Sequence, residues 1–231
     1  MALFQLEPHS IAQRVQAGGQ PPRVPSPGAS VLRGVIGFTL VSVAAFSMWP
    51  IIDRWFPRMG EAGLYVACTA VFIGLSGPML HRLIIGPGSL PRFCKLFTLA
   101  FIAYVIAWAA FWIWLRSDAG EYAGLLAGTA AMGAILAFAF DARRAAVKII
   151  ASLFVLNTAG YLAGAWIEGK LAVWHRLTAI FLWAVCYGAG FGAGLGLAFH
   201  FCQARARALI GEGVTPGRTS TPDPRDSDPS R

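Results

Sequence analysis

Apolar residues fill six separated stretches of the chain, and charged residues mark the boundaries between them. Each stretch has about the 20 residues that an α-helix needs to cross the hydrocarbon core of a bilayer. Apart from Arg33, near the start of the first stretch, none contains Asp, Glu, Lys or Arg. The pattern therefore predicts an all-α integral membrane protein built as a bundle of six transmembrane helices. The predicted spans are residues 32–49, 62–80, 96–115, 122–140, 149–167 and 177–201.

The composition agrees with this interpretation and limits where a function can lie. Of the 231 residues, 56% are hydrophobic and 13% are charged, and the mean hydropathy is +0.59. This balance is far from that of soluble domains. The segments outside the spans are too short or too polar to form a soluble catalytic domain, so we expect the protein to act within the bilayer or at its edge.

The basic residues are distributed unequally between the two sides of the predicted bundle. Fourteen of the 19 Lys and Arg residues fall on the side that carries both termini, and cytoplasmic segments carry this excess. Both termini are therefore expected in the cytoplasm, and the protein is expected in a bacterial inner (plasma) membrane. The net charge of +8 follows from this topology and from attraction to anionic lipid. Because the basic residues are spread over four short segments, we expect no nucleic-acid partner.

Three regions follow from the same pattern. Residues 1–30 form a cytoplasmic N-terminal tail with a proline-rich linker, 31–203 the six-helix transmembrane domain, and 204–231 a cytoplasmic, disordered C-terminal tail. Within the first tail, Ser10 is expected to cap a short amphipathic helix on the membrane surface. No apolar segment precedes the first span, which is expected to act as an uncleaved anchor.

The spans carry no ionisable group at mid-depth, which argues against a proton-coupled transporter and against a strongly charged substrate in the centre. They do carry uncharged polar groups near their midpoints. These form a candidate midplane polar site consisting of Asn157, Thr158, Tyr104, Tyr187 and Thr129. Two interpretations stay open: the groups line a pocket for a small neutral solute, or they join helices by hydrogen bonds. An amide at this depth needs partners, so Asn157 is the residue expected to matter most.

Glycines at alternate positions of YGAGFGAGLGLA, residues 187–198, give the last span two smooth sides. Close approach at such small residues holds helices together in lipid, and a broken, substrate-binding helix is the alternative. We expect one glycine stripe to meet the alanines of the third span at 100, 103 and 107. We also expect two glycine pairs, one in the fourth span and one in the fifth, to face each other. The packing glycines are Gly124, Gly128, Gly160, Gly164, Gly188, Gly192 and Gly196.

Metal and cofactor chemistry finds little support in the sequence. His200 and Cys202 are two residues apart, which places them on different sides of a helix, so they cannot share one ion there. We therefore expect no metal and no cofactor. The aromatic stripe of the third span, from Phe97 to Phe111, is assigned to packing, and tryptophans near the predicted outer interface to an aromatic belt.

Two functional hypotheses follow. The first is a non-enzymatic membrane component that binds or moves a small neutral or weakly polar solute, acting as a transporter or binding protein. The second is a structural or assembly subunit, whose partners besides the lipid bilayer are other membrane subunits or further copies of this chain. An enzyme is less favoured, because no nucleophile, metal cluster or acid–base pair is visible. A polar cavity reaching Asn157 would favour the first hypothesis, and a solid bundle with an exposed small-residue face the second.

Overall fold

The computed structural model describes residues 4–18, 24–56, 58 and 60–213, and these ranges contain helices and no strands. Two single turns of 3₁₀-helix, His81–Leu83 and Arg143–Ala145, precede α5 and α7. The α-helices are α1 (Pro8–Ala17), α2 (Pro27–Phe46), α3 (Met48–Trp55), α4 (Gly60–Leu80), α5 (Ser89–Leu115), α6 (Asp118–Ala139), α7 (Ala146–Leu171), α8 (Arg176–Cys202) and α9 (Ala204–Gly213).

Six helical segments in the described part of the chain are long and apolar enough to span a membrane, the number that the sequence predicts, and their insertion into a bilayer stays a prediction. The first combines α2 with the start of α3, and the others contain α4, α5, α6, α7 and α8. Their outward faces carry large apolar side chains, such as Ile36, Ile106 and Val155, each more than half exposed. Apolar surface on this scale suits lipid rather than water. The orientation of the termini stays a prediction.

The six spanning helices form a closed ring. Each packs against its two neighbours in the order α2, α4, α5, α6, α7, α8 and back to α2. We call the end of the ring that carries α1 and α9 the proximal end. The opposite end, with the connections at 116–117 and 172–175, is the distal end. The distal start of α6 is set by Ser117, whose hydroxyl oxygen accepts a hydrogen bond from the Gly120 backbone N–H at 3.3 Å, as an N-cap should.

Aromatic side chains fill the centre of the proximal half. The rings of Phe38 on α2 and Phe191 on α8 stack with centroids 4.6 Å apart, and both side chains are fully buried. Phe93, Phe97 and Phe199 continue the packing, with neighbouring centroids 5.3 and 5.6 Å apart. This half of the ring is therefore solid.

The glycine stripes of α8 contact α2 and α7. The prediction that one stripe meets the alanines of α5 is therefore wrong. An ideal Cβ on Gly192 would lie 2.7 Å from the carbonyl carbon of Gly34 on α2. Gly188 and Gly196 meet the same helix. An ideal Cβ on Gly188 would lie 2.7 Å from the Thr39 Cα, and one on Gly196 would lie 2.8 Å from the Val31 Cα. On the opposite stripe, an ideal Cβ on Gly190 would lie 2.7 Å from the Cα of Gly160 on α7. Small residues on both sides of these crossings allow the backbones to touch.

The glycine pairs of α6 and α7 likewise face other helices, not each other as expected. A Cβ on Gly124 would meet the backbone oxygen of Trp108 on α5 at 2.8 Å, and one on Gly128 would meet Tyr104 of the same helix. Gly164 meets Trp183 of α8, with the Cβ 2.8 Å from the indole Cδ1. A stripe of small residues fits any helix of suitable shape, so depth along the bundle did not identify the partner.

Residues 204–213 form α9 instead of starting a disordered tail, and α9 packs against α1. Ala206 and Ile210 of α9 are buried, as are Ile11 and Val15 of α1. Apolar residues four apart share one helical face, and this is enough to bury α9 despite its charged residues. The remainder of the predicted tail, 214–231, lies outside the described residues.

The N-terminal helix begins earlier than expected. It starts at Pro8, since proline favours the first turn of a helix, and Ser10 therefore lies inside the helix instead of capping it. The Ser10 hydroxyl donates a hydrogen bond to the Glu7 carboxylate at 3.2 Å. The predicted helix on this segment is present, but it packs on α9 and the proximal core.

Candidate functional site

A cavity of about 510 Å³ occupies the centre of the ring in its distal half. Its floor is formed by Phe72, Phe101, Tyr104 and Tyr187, which close it toward the solid proximal core. The other lining side chains are mostly aromatic or aliphatic, with three charged residues, Glu121, Glu168 and Arg176. All six spanning helices contribute to the lining, since α2 supplies Phe46.

One wall of the cavity consists of aromatic residues from α4 and α5. Trp108 and Trp112 are four residues apart, so they share one face of α5, and their rings stack with centroids 5.8 Å apart. Tyr65 of α4 meets both edge-on, at 6.3 and 6.4 Å. Gly124 allows α6 to contact the backbone of Trp108 from behind. This wall is therefore held in place by aromatic packing and by a close helix crossing.

The facing wall is built in the same way from α2, α7 and α8. Trp183 and Tyr187 stack with centroids 5.2 Å apart, while Phe46 and Tyr161 meet the indole edge-on at 4.6 and 5.7 Å. Gly164 leaves room behind Trp183. Edge-to-face and stacked pairs in this range stabilise one another, so the two walls have defined positions on either side of the cavity.

Charged side chains surround the distal opening. Glu121 lies in the first turn of α6, Glu168 near the end of α7, and Arg176 at the start of α8. The Tyr161 hydroxyl donates a hydrogen bond to the Glu121 carboxylate. A further cavity of about 350 Å³ shares Trp112 and Glu121 with the first. Both cavities therefore lie at the distal end of the ring.

The predicted midplane polar site is brought together only in part. The buried Asn157 side chain donates a hydrogen bond to the Tyr104 hydroxyl at 3.3 Å, and the Tyr104 and Tyr187 rings both pack against Phe191, with centroids 5.3 and 5.8 Å from it. Thr129 instead donates back to the Leu125 carbonyl of its own helix at 2.7 Å. Thr158 is not among the residues that line the cavity. Of the five predicted residues, Tyr104 and Tyr187 line the cavity floor, and Asn157, like Thr158 and Thr129, does not line the cavity but is hydrogen-bonded to Tyr104 behind it.

We expect the Asn157–Tyr104 hydrogen bond to contribute little to stability by itself. A double-mutant cycle with Asn157→Leu and Tyr104→Phe should give a coupling of about 0.6 kcal/mol, the average for such bonds between membrane helices. The free energy of unfolding is measured in mixed micelles by SDS titration. The cycle of Thr129→Val with Tyr104→Phe is the control, and its coupling should be zero. Equal coupling in both cycles would contradict the hydrogen bond.

Sequence reasoning missed the residues that make most of the cavity. Trp108 was assigned to packing, Trp112 to an aromatic belt, and the glutamates to the ends of spans. The signal was spacing: Tyr161, Ala165 and Glu168 share one face of α7, and Tyr104, Trp108 and Trp112 share one face of α5. The α5 face is aromatic, and the α7 face carries a carboxylate beside an aromatic residue. A carboxylate is unusual on a helix face that contacts lipid.

Within the described residues, no group of three or more His, Cys, Asp and Glu side chains is arranged to hold a metal ion. Comparison of the chain with models of protein families, with curated protein sequences and with solved structures finds no match.

Proposed function

We propose that the protein binds a small, largely apolar solute in the distal cavity. The observation that carries the proposal is the cavity itself: about 510 Å³ of space between two aromatic walls, with tyrosine hydroxyls at its floor. Small-molecule sites have volumes of roughly 300–1,000 Å³ and combine apolar walls with a few convergent polar groups. Tyr104 and Tyr187 at the floor supply such groups, with Asn157 hydrogen-bonded to Tyr104 behind them, and a solute with one hydrogen-bonding group would complement them.

The solid proximal half favours binding over an open path for the solute. Below the floor, Phe38, Phe97 and Phe191 are fully or almost fully buried and pack ring against ring. A solute in the cavity therefore meets a closed surface on the proximal side. The role of an assembly subunit has less support, because the glycines of α8 contact α2 and α7 and provide no docking face.

The test uses 3-ethylindole, a neutral solute of suitable size, with purified protein in a mild detergent. Calorimetric titration, corrected for uptake by empty micelles, should give saturable binding at one site. Ala165→Phe places a ring inside the cavity and should weaken binding by about tenfold or more, since overfilling costs 1–3 kcal/mol. The matched control is Ala163→Phe, on the exposed side of the same helix, which should bind as the natural protein does.

Two outcomes decide the proposal. Loss of binding in Ala165→Phe but not in Ala163→Phe, with both variants monodisperse, would support it. Equal binding by all three proteins would overturn it, because the solute would then lie elsewhere. If Ala165→Phe aggregates, Ala109→Phe fills the cavity from α5 and is judged by the same comparison.

A further inference from the structure

The charges at the cavity opening are unbalanced. Among the described residues that line the main cavity, Glu121 and Glu168 are carboxylates and Arg176 is the one cation, while the further cavity adds one charge of each sign, Arg116 and Asp118. Both glutamates are partly buried, whereas Arg176 is exposed. No ion pair joins Arg176 to either glutamate in the described part of the chain. The guanidinium is thus screened by solvent more than the partly buried carboxylates are.

The position of Glu121 is fixed by its neighbour. Tyr161 belongs to the aromatic wall around Trp183, and its hydroxyl donates to one carboxylate oxygen of Glu121. A carboxylate offers about four acceptor positions on its two oxygens. The bond from Tyr161 therefore orients Glu121 and still leaves acceptor capacity for a ligand.

Aromatic rings lie beside this carboxylate. Trp112 lines both cavities together with Glu121, and it stacks on Trp108 toward the floor. The face of an indole ring attracts organic cations more strongly than the other aromatic side chains do. The rings and the carboxylates, two independent features of the same opening, therefore favour the same ligand charge.

We propose that the ligand of the cavity is an organic monocation with an apolar body. This inference rests on the proposed function and names its ligand class. The ammonium or similar group lies at the opening near Glu121, Glu168 and Trp112, and the apolar body lies between the aromatic walls. The spans themselves carry no charge at mid-depth, so the charged group stays at the distal end while the apolar part reaches Tyr104 and Tyr187.

The test is a charge series on one ring system: tryptamine is a cation at neutral pH, 3-ethylindole is neutral, and indole-3-propionate is an anion. The three are titrated against the natural protein as before. Tryptamine should bind about tenfold more tightly than 3-ethylindole, which corresponds to one cation–π contact plus a nearby carboxylate. The anion should bind more weakly than the neutral compound.

Variants at the opening assign the effect to single groups. Glu121→Gln keeps an acceptor for Tyr161, and it should remove most of the preference for tryptamine over 3-ethylindole. Asp118→Asn is the matched control for charge at the same end: Asp118 is exposed on the same helix and lines the further cavity but not the main one, so its loss should reduce the preference far less than Glu121→Gln does. Arg176→Gln should raise the affinity for tryptamine.

The outcomes separate this inference from the proposed function. If 3-ethylindole binds in the natural protein and not in Ala165→Phe, but tryptamine gains nothing, the cation inference is overturned and solute binding stands. If Asp118→Asn and Glu121→Gln reduce the preference equally, the effect is general surface charge and the inference is overturned as well. If no member of the series binds in a manner sensitive to Ala165→Phe, both proposals fail.

Discussion

Replacing Gly192 by leucine is expected to abolish the folded protein. Gly192 lies where α8 crosses α2. An ideal Cβ on Gly192 would lie 2.7 Å from the carbonyl carbon of Gly34 and 3.0 Å from the Cβ of Phe38. These are backbone and short side-chain atoms that cannot rotate away, so the two helices would have to separate. Separation would also disturb the stacked rings of Phe38 and Phe191, which lie at the same crossing.

Gly192→Ala is expected to be destabilising too, although the sequence alone suggests that alanine is harmless at this position. Alanine gains about 1 kcal/mol of helix propensity over glycine. Its Cβ still overfills the crossing with Gly34, which costs roughly 1–3 kcal/mol. We therefore expect a lower midpoint of thermal unfolding for Gly192→Ala and almost no monodisperse protein for Gly192→Leu, measured by size-exclusion chromatography in mild detergent.

The control for both changes is Gly74, inside α4. A Cβ on Gly74 has no neighbour within 4 Å, so Gly74→Ala should be neutral or stabilising and Gly74→Leu should remain abundant. A Gly192→Leu variant as abundant as Gly74→Leu would mean that α2 and α8 do not touch at this point. The assignment of the α8 stripes to packing would then be wrong, and a lumen or hinge would be the better interpretation.

Phe191→Ala is expected to have the second largest effect and to change the cavity as well as stability. Phe191 is fully buried, stacks on Phe38 at 4.6 Å, and meets the cavity-floor rings of Tyr104 and Tyr187 at 5.3 and 5.8 Å. Truncation leaves a hole beneath the floor. The free energy of unfolding should fall by about 3 kcal/mol, the lower end for Phe→Ala, because lipid provides no hydrophobic drive between helices.

The measurement pairs SDS titration with binding of a larger solute. Phe191→Ala should accept an indole with a longer alkyl chain better than the natural protein does, since the floor deepens. Phe181→Ala on the lipid-exposed part of α8 is the matched control, because Phe181 is 36% exposed and its loss opens no internal space. Equal loss of stability in both variants would contradict the central position of Phe191.

The sequence by itself determined that the fold is all-α and that six helices are long and apolar enough to span a membrane. Transfer of an apolar stretch of about 20 residues into lipid depends on that stretch alone, so the six spans could be found without knowing their neighbours. The helices extend beyond the predicted spans: α7 runs over 146–171 rather than 149–167, because hydropathy marks the apolar centre of a helix and not its ends. The presence of close helix crossings could also be inferred, since glycine and alanine stripes are local features.

The tertiary structure alone decided which surfaces meet and where space remains. A glycine stripe fits several helices equally well, so Gly192 was paired with the wrong helix until the ring order was known. The cavity depends on the separation of all six helices in the distal half, a property of no single segment. Glu121 and Glu168 show the difference most clearly. In the sequence they end apolar stretches, whereas in the bundle their helices direct them toward the same opening, because antiparallel neighbours bring residues from distant positions to one depth.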